Sequence, residues 1–207
     1  MAAIGLFGLT LSPLTELLIA RLLPRVGPPP VMSARITTSI VTAVFCAAFA
    51  FRFGAHLALP AFILFVILGV QLARIDVSLH LLPNPLVLAL MAGGLLLFFG
   101  ATFGGEPWSS LVRALASATI LFVIYLILAL ISPASLGMGD VKLAAPVGLY
   151  LGYLGWSQLL YGGLLGFILN GLVTVLVVAR SSKQRPSEVA HGPSMVGAVL
   201  AISALMP

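Results

Sequence analysis

Eight apolar segments separated by short polar connections make up most of this chain. They cover approximately residues 4–20, 36–51, 57–73, 85–103, 111–131, 143–155, 158–179 and 190–206. A helix that crosses a bilayer needs about 20 apolar residues, and lipid offers no partner for unpaired backbone groups. The pattern therefore predicts an all-α, polytopic membrane helix bundle with about eight transmembrane segments. Because segment 143–155 is short and segment 190–206 contains Gly192 and Pro193, these two are candidates for re-entrant or tilted elements.

The composition excludes a soluble domain of this length. Hydrophobic residues make up 61% of the chain and charged residues only 7%, so the expected surroundings are a lipid bilayer. No basic patch interleaved with aromatic residues is present, which argues against a nucleic-acid partner. No long polar linker divides the sequence, so we expect residues 1–207 to form a single transmembrane domain. Cys46 is the one cysteine, which excludes an intramolecular disulfide and a cysteine-based zinc site and favours a packing role.

The basic residues predict an orientation. Cytoplasmic loops of membrane proteins carry the excess of Lys and Arg. Eight crossings that start outside place only Arg52 and Arg113 on the outer side and predict both termini outside. The expected location is the cell (inner or plasma) membrane. The inner side then receives the other bases, Arg21, Arg25, Arg35, Arg74, Lys142, Arg180, Lys183 and Arg185.

The predicted topology places two aspartates at the same side of the membrane. Asp76 comes just after the third segment and Asp140 just before the sixth, so both are predicted at the cytoplasmic boundary. Two neighbouring carboxyls cannot both ionise easily, so one keeps a proton while the other stays charged. This division suits the activation of water and the protonation of an amide, which is aspartic-protease chemistry. The alternative is a pair of interfacial ion pairs, Asp76 with Arg74 and Asp140 with Lys142.

The residues around each aspartate add to the prediction. Gly137 and Gly139 flank the position before Asp140 and would permit glycine-only backbone conformations or the close approach of a substrate strand. Lys142 is a candidate for binding a peptide carbonyl or tuning Asp140, and equally for an ordinary positive-inside charge.

A short proline-rich turn follows Asp76. Pro83, Asn84 and Pro85 are predicted to position the loop that carries this aspartate. We expect Asn84 to cap the fourth helix and Pro85 to lie in its first turn.

The motif Gly137-Met138-Gly139-Asp140-Val141-Lys142-Leu143, together with Ile75-Asp76 and Leu82-Pro83-Asn84, resembles the type IV prepilin peptidases, which are membrane aspartic proteases of the GxGD class. Phe7-Gly8-Leu9 and His191-Gly192-Pro193 are similar to further elements of that family. The resemblance implies that Asp76 and Asp140 are catalytic. It also implies removal, without a cofactor, of the short basic leader from prepilin or pseudopilin substrates of type IV pilus or type II secretion systems at the cytoplasmic face. The elements of the related presenilin-type proteases have no convincing match.

Two departures from that family carry predictions. Residues 21–35 lack the insert with two CxxC pairs that longer relatives carry, which argues against a tetracysteine zinc site and against N-methylation of the product by this chain. Glu16 replaces an amide in the first segment, and we expect it to reach towards Arg21 at the inner interface.

His80 and His191 are each predicted to satisfy an interfacial hydrogen bond, and the histidines show no metal-ligand spacing.

Glycines 148, 152, 162 and 166 predict close helix packing, within the chain or between chains.

Two other classes of function stay open at this point. A small transporter or channel would use the two aspartates to bind a cation, and an inactive scaffold would serve pilus assembly. The sequence alone leaves open the individual substrate and the oligomeric state.

Overall fold

The computed structural model describes residues 2–132, 136–180 and 190–206, and within these ranges the chain is helical with no strand. The all-α prediction is confirmed, and each of the eight apolar segments corresponds to a helix. A short 3-10 helix, Pro24–Val26, follows the first of them. The helices are α1 Ala2–Leu22, α2 Met32–Phe53, α3 Leu59–Leu79, α4 Asn84–Phe103, α5 Trp108–Ile131, α6 Met138–Leu154, α7 Trp156–Arg180 and α8 Gly192–Leu205.

Helix length separates two of these elements from the others. Six helices, α1 to α5 and α7, are long and apolar enough to cross a membrane. By contrast α6 has 17 residues and carries the charged Asp140 in its first turn, and α8 has 14 residues. At about 1.5 Å per residue α8 is only ~21 Å long, less than the ~30 Å hydrocarbon core. These are the two segments whose sequences predicted re-entrant or tilted elements.

Helices α3, α6 and α8 form the centre of the bundle. The most apolar window of α3 is 61% buried, whereas that of α7 is only 11% buried. Gly148 and Gly152 of α6 lie directly against Arg113, Ser117 and Ala118 of α5. The predicted close packing is therefore confirmed for these two glycines, and it is intramolecular.

An aromatic cluster fixes α3 relative to α6. The Tyr150 ring lies 5.6 Å from Phe62, 4.7 Å from Phe65 and 5.2 Å from Phe98 between ring centroids. Tyr150, Phe62, Phe65 and Phe98 are fully buried. Aromatic pairs at these separations stabilise the contact beyond the apolar area that they bury. The cluster therefore holds the amino-terminal half of α3 against the carboxyl-terminal part of α6.

Glu16 lies in a buried polar cluster between α1, α2 and α3, and its predicted partner was wrong. Its carboxylate accepts hydrogen bonds from Arg35 Nε at 3.1 Å and Thr38 Oγ1 at 2.7 Å, both on α2, so Arg35 takes the place expected for Arg21. Gln71 of α3 donates to the same carboxylate at 3.5 Å. A buried charge needs such partners. Cys46 is fully buried, as expected of a packing residue.

Part of the charge pattern falls where the structure gives no description. Lys183, Arg185 and Glu188 lie outside the described residues, and so does the side chain of Arg180.

Candidate functional site

Asp76 lies in the last turn of α3 rather than after it, because α3 continues to Leu79. Its side chain is only 5% exposed. His80 is the C-cap of α3; it adopts a left-handed conformation with φ 49° and donates its amide to the Asp76 carbonyl at 2.9 Å. The aspartate is therefore held by a helix end and not by a free loop.

The Asp76 carboxyl receives a hydrogen bond from another helix. The amide of Gly192, the first residue of α8, donates to Asp76 Oδ2 at 2.9 Å. The first amides of a helix have no partner within it, and they carry the positive end of its dipole. This donor therefore favours the charged form of the carboxyl. A Cβ atom on residue 192 would lie 2.7 Å from Asp76 Oδ2, so the contact requires glycine.

Asp140 lies in the first turn of α6, before the apolar part of that helix. Burial and the nearby Asp76 carboxyl raise the pKa of Asp140 to about 6, while a hydrogen bond from the Gly137 backbone acts in the opposite direction. The Asp76 carboxyl is therefore close enough to affect the ionisation of Asp140. This half-buried position leaves Asp140 within reach of water from the helix end.

The two glycines of the motif have different roles from those expected. Gly137 precedes α6 with φ −75° and ψ 149°, which any residue can adopt, so the expectation of a glycine-only backbone there was wrong. A Cβ on Gly139 would lie 3.2 Å from Leu82, on the segment between α3 and α4. Leu82 also contacts the position where a Cβ of Gly192 would lie, at 3.4 Å. This single side chain therefore packs between the amino ends of α6 and α8.

Lys142 and Asn84 join α6 to α4. Lys142 Nζ donates to Asn84 Oδ1 at 3.0 Å, on the exposed side of the site. The prediction that Asn84 caps α4 was wrong, because Pro83 is the N-cap and the Asn84 side chain is committed to Lys142. Pro85 does lie in the first turn of α4, as predicted.

The alternative reading of the aspartates as interfacial ion pairs does not describe this arrangement. Arg74 Nε donates to Gln71 Oε1 at 3.0 Å, and Lys142 is paired with Asn84. Within the described part of the chain, neither aspartate forms an ion pair with either base.

Tyr125 and His191 form a second buried pair beside the aspartates. Tyr125 Oη lies 2.9 Å from His191 Nε2, and the two residues are 1% and 5% exposed. The hydrogen bond expected for His191 is thus present, but with a buried partner. Our sequence reasoning missed Tyr125, although one phenol within an aliphatic transmembrane run signals a hydroxyl that needs a partner.

Chemically, the site offers two neighbouring carboxyls, a helix-terminal amide and access to water. The arrangement suits general acid–base work on a polar bond. No group of three or more His, Cys, Asp or Glu side chains that could hold a metal ion occurs among the described residues.

Sequence comparisons agree on one family. The profile of the type IV leader peptidase family matches residues 62–178, a range that includes both aspartates. The chain is 38% identical over 128 residues to the prepilin leader peptidase/N-methyltransferase of Dickeya chrysanthemi, covering 60% of this chain and 43% of that protein. It is 29% identical over 147 residues to the protein of the same name from Bacillus subtilis, covering 71% and 57%.

A third relative of that name, from Klebsiella pneumoniae, is 40% identical over 91 residues, covering 43% of this chain and 39% of the relative. The chain thus spans about half the length of the curated relatives it matches. No solved structure matches. The family profile covers more than half of the 207 residues and includes both aspartates, so the chain belongs to the type IV leader peptidase family.

Proposed function

We propose that this chain is a membrane-embedded aspartic endopeptidase that removes the short basic leader from prepilin-like proteins. The observation that carries the proposal is the placement of Asp76 in the last turn of α3 and Asp140 in the first turn of α6, near enough for the Asp76 charge to act on Asp140. Membership of a leader peptidase family supports the substrate class. The proposal covers hydrolysis alone, because the tetracysteine insert associated with N-methylation has no counterpart in a chain with one cysteine.

We also propose that the site faces the cytoplasm and that residues 1–207 act as one transmembrane peptidase domain. The positive-inside distribution supports this orientation. Arg52 and Arg113, the two bases assigned to the outer side, donate to the carbonyl oxygens of Met206 and Gly152, at the carboxyl ends of α8 and α6. The aspartates lie near the amino ends of the same two helices, so the bases and the site are at opposite ends of the bundle.

In the proposed mechanism Asp76 is the base and Asp140 the acid. The Gly192 amide favours the charged Asp76 carboxyl, which takes a proton from a water molecule as that water attacks the scissile carbonyl. Burial and the Asp76 charge favour the protonated form of Asp140, and its proton passes to the leaving amide nitrogen. The substrate must be extended at the cut, because a helical peptide bond is shielded by its internal hydrogen bond.

The proposal is tested by reconstituting the full chain in liposomes with a prepilin-type substrate. We expect one cut, located by mass spectrometry at the junction between the basic leader and the apolar helix. Cation flux is measured in the same liposomes. Flux without cleavage would support a channel or transporter and overturn the peptidase proposal, while neither activity would favour an inactive scaffold.

Cleavage is expected to decline as the pH rises above about 6. The pKa of Asp140 is raised to about 6, so the protonated acid predominates below that pH and is lost above it, about tenfold per pH unit. Values of kcat/KM measured from pH 4 to 9 should therefore show a basic limb. A rate that stays level to pH 9 would contradict the assignment of Asp140 as the acid.

A further inference from the structure

The amino end of α8 must stay in place for the Gly192 amide to reach Asp76. Gly192 is the first residue of α8, and His191 directly before it is the N-cap of this helix. The backbone carbonyl of His191 accepts the amides of Ser194 and Met195 at 3.1 and 3.2 Å, so the position of His191 sets the start of α8.

The His191 side chain is anchored in the bundle. Its Nε2 atom lies 2.9 Å from Tyr125 Oη, and its ring lies 5.6 Å from the Tyr125 and Phe167 rings. The Tyr125 and Phe167 rings are stacked at 5.1 Å. A helix start is therefore tied to two other helices, α5 and α7, directly beside the residue that contacts Asp76.

The chemistry of residue 191 suggests more than space filling. His191 Nδ1 is buried and has no hydrogen-bond partner among the described residues. Leaving a buried polar atom unpaired costs about 1–3 kcal/mol, whereas a phenylalanine would fill a similar volume without that cost. Burial lowers the pKa of His191 to about 4, so the imidazole is neutral at pH 7 and adds no positive charge beside the carboxyls. Its useful property is the hydrogen bond to Tyr125.

We propose that Tyr125 and His191 form a positioning pair that holds the amino end of α8, so that the Gly192 amide keeps donating to Asp76. Neither side chain touches the reacting atoms in this proposal. The pair acts through Gly192 to favour the charged form of Asp76, and the inference rests on the proposed peptidase function. Among the described residues, the titratable groups around the site are His80 at the end of α3, Lys142 and Asp140 on α6, Tyr125 on α5, and His191 before α8.

The test uses Tyr125→Phe and His191→Phe, which each remove the hydrogen bond and keep an aromatic ring. We expect the acid limb of kcat/KM to move up by about one pH unit in each variant, because a loosened amide favours the charged carboxyl less. Below that limb the rate should fall about tenfold with little change in KM. The double variant should shift no further than either single one, because the two residues act as a unit. Tyr161→Phe, which removes the hydroxyl of a half-exposed tyrosine on α7, is the matched control and should retain the wild-type profile.

A second readout does not depend on cleavage. Hydrogen exchange of the peptide that contains Gly192 should be faster in both variants than in the wild type and the Tyr161→Phe control. Unchanged exchange, or an unchanged acid limb in an active Tyr125→Phe enzyme, would overturn the positioning role while leaving the peptidase proposal intact. A wild-type chain that does not cleave would remove the proposed function, and the exchange measurement would still decide whether the pair holds α8.

Discussion

Leader cleavage is expected to fall by at least about 10²- to 10⁴-fold when either Asp76 or Asp140 is replaced by asparagine. Asparagine has nearly the same shape, but it neither takes a proton from water nor gives one to a leaving nitrogen. Because the two carboxyls perform one proton-transfer sequence, the double variant should be little worse than either single variant. The measurement is the initial rate of leader removal by the reconstituted chain, with substrate binding followed separately.

Glu106→Gln provides the matched control for these substitutions. Glu106 is another of the five acidic residues, but it pairs with His56 at 3.2 Å, remote from the aspartates at the other end of the bundle. Its substitution also removes one negative charge and should leave cleavage within about twofold of wild type, as for a residue remote from the site. Normal cleavage by Asp76→Asn or by Asp140→Asn would exclude the proposed dyad.

The pairing of the aspartates was accessible from the sequence because of topology. Apolar segment lengths predict the number of helices, and the distribution of bases then places Asp76 and Asp140 at the same end of the bundle. In the structure α3 ends near the start of α6, because Leu82, in the segment that follows α3, packs against Gly139 of α6. The sequence pattern did not predict that Asp76 lies within a helix, because the apolar segment ends before it whereas α3 continues to Leu79.

The partners of each polar side chain were the least predictable part. Glu16 pairs with Arg35 of α2 rather than with the nearer Arg21, and Asn84 accepts from Lys142 rather than capping its own helix. In both cases a contact between helices replaces the local contact that sequence proximity suggests. Such contacts depend on how the helices rotate about their axes, which is set by packing across the whole bundle.

The partner of the Gly192 amide was equally unpredictable from the sequence. The His191-Gly192-Pro193 sequence marks the start of a helix, and the free amides there follow from helix geometry. That one of them would reach a carboxyl on α3, 116 positions away, is a property of tertiary structure alone. A glycine before proline at a helix start was a signal for close approach, but it did not identify the partner.

The largest structural effect is expected at the contact between α5 and α6. A Cβ on Gly148 would lie 2.5 Å from the Ser117 carbonyl oxygen and 2.9 Å from Ala118 Cα, both backbone atoms of α5. Neither atom can move without shifting the helix, so Gly148→Val should force α5 and α6 apart. We expect a loss of about 1–3 kcal/mol or more in the free energy of unfolding, with a midpoint lower by roughly 2–4 °C for each kcal/mol.

Cys46 supplies the measurement, because it is the one cysteine of the chain and is fully buried between helices. Its reaction with a maleimide during heating reports unfolding without the introduction of another cysteine. The temperature of half-reaction should be lower for Gly148→Val than for wild type. Gly100→Val is the control, since a Cβ at that position of α4 meets no atom within 4 Å and the change in side chain is identical. If both variants lost the same stability, the cause would be the intrinsic effect of valine in a helix. Only a loss confined to Gly148→Val supports the view that close packing of α5 against α6 holds the amino end of α6, and with it Asp140, in position.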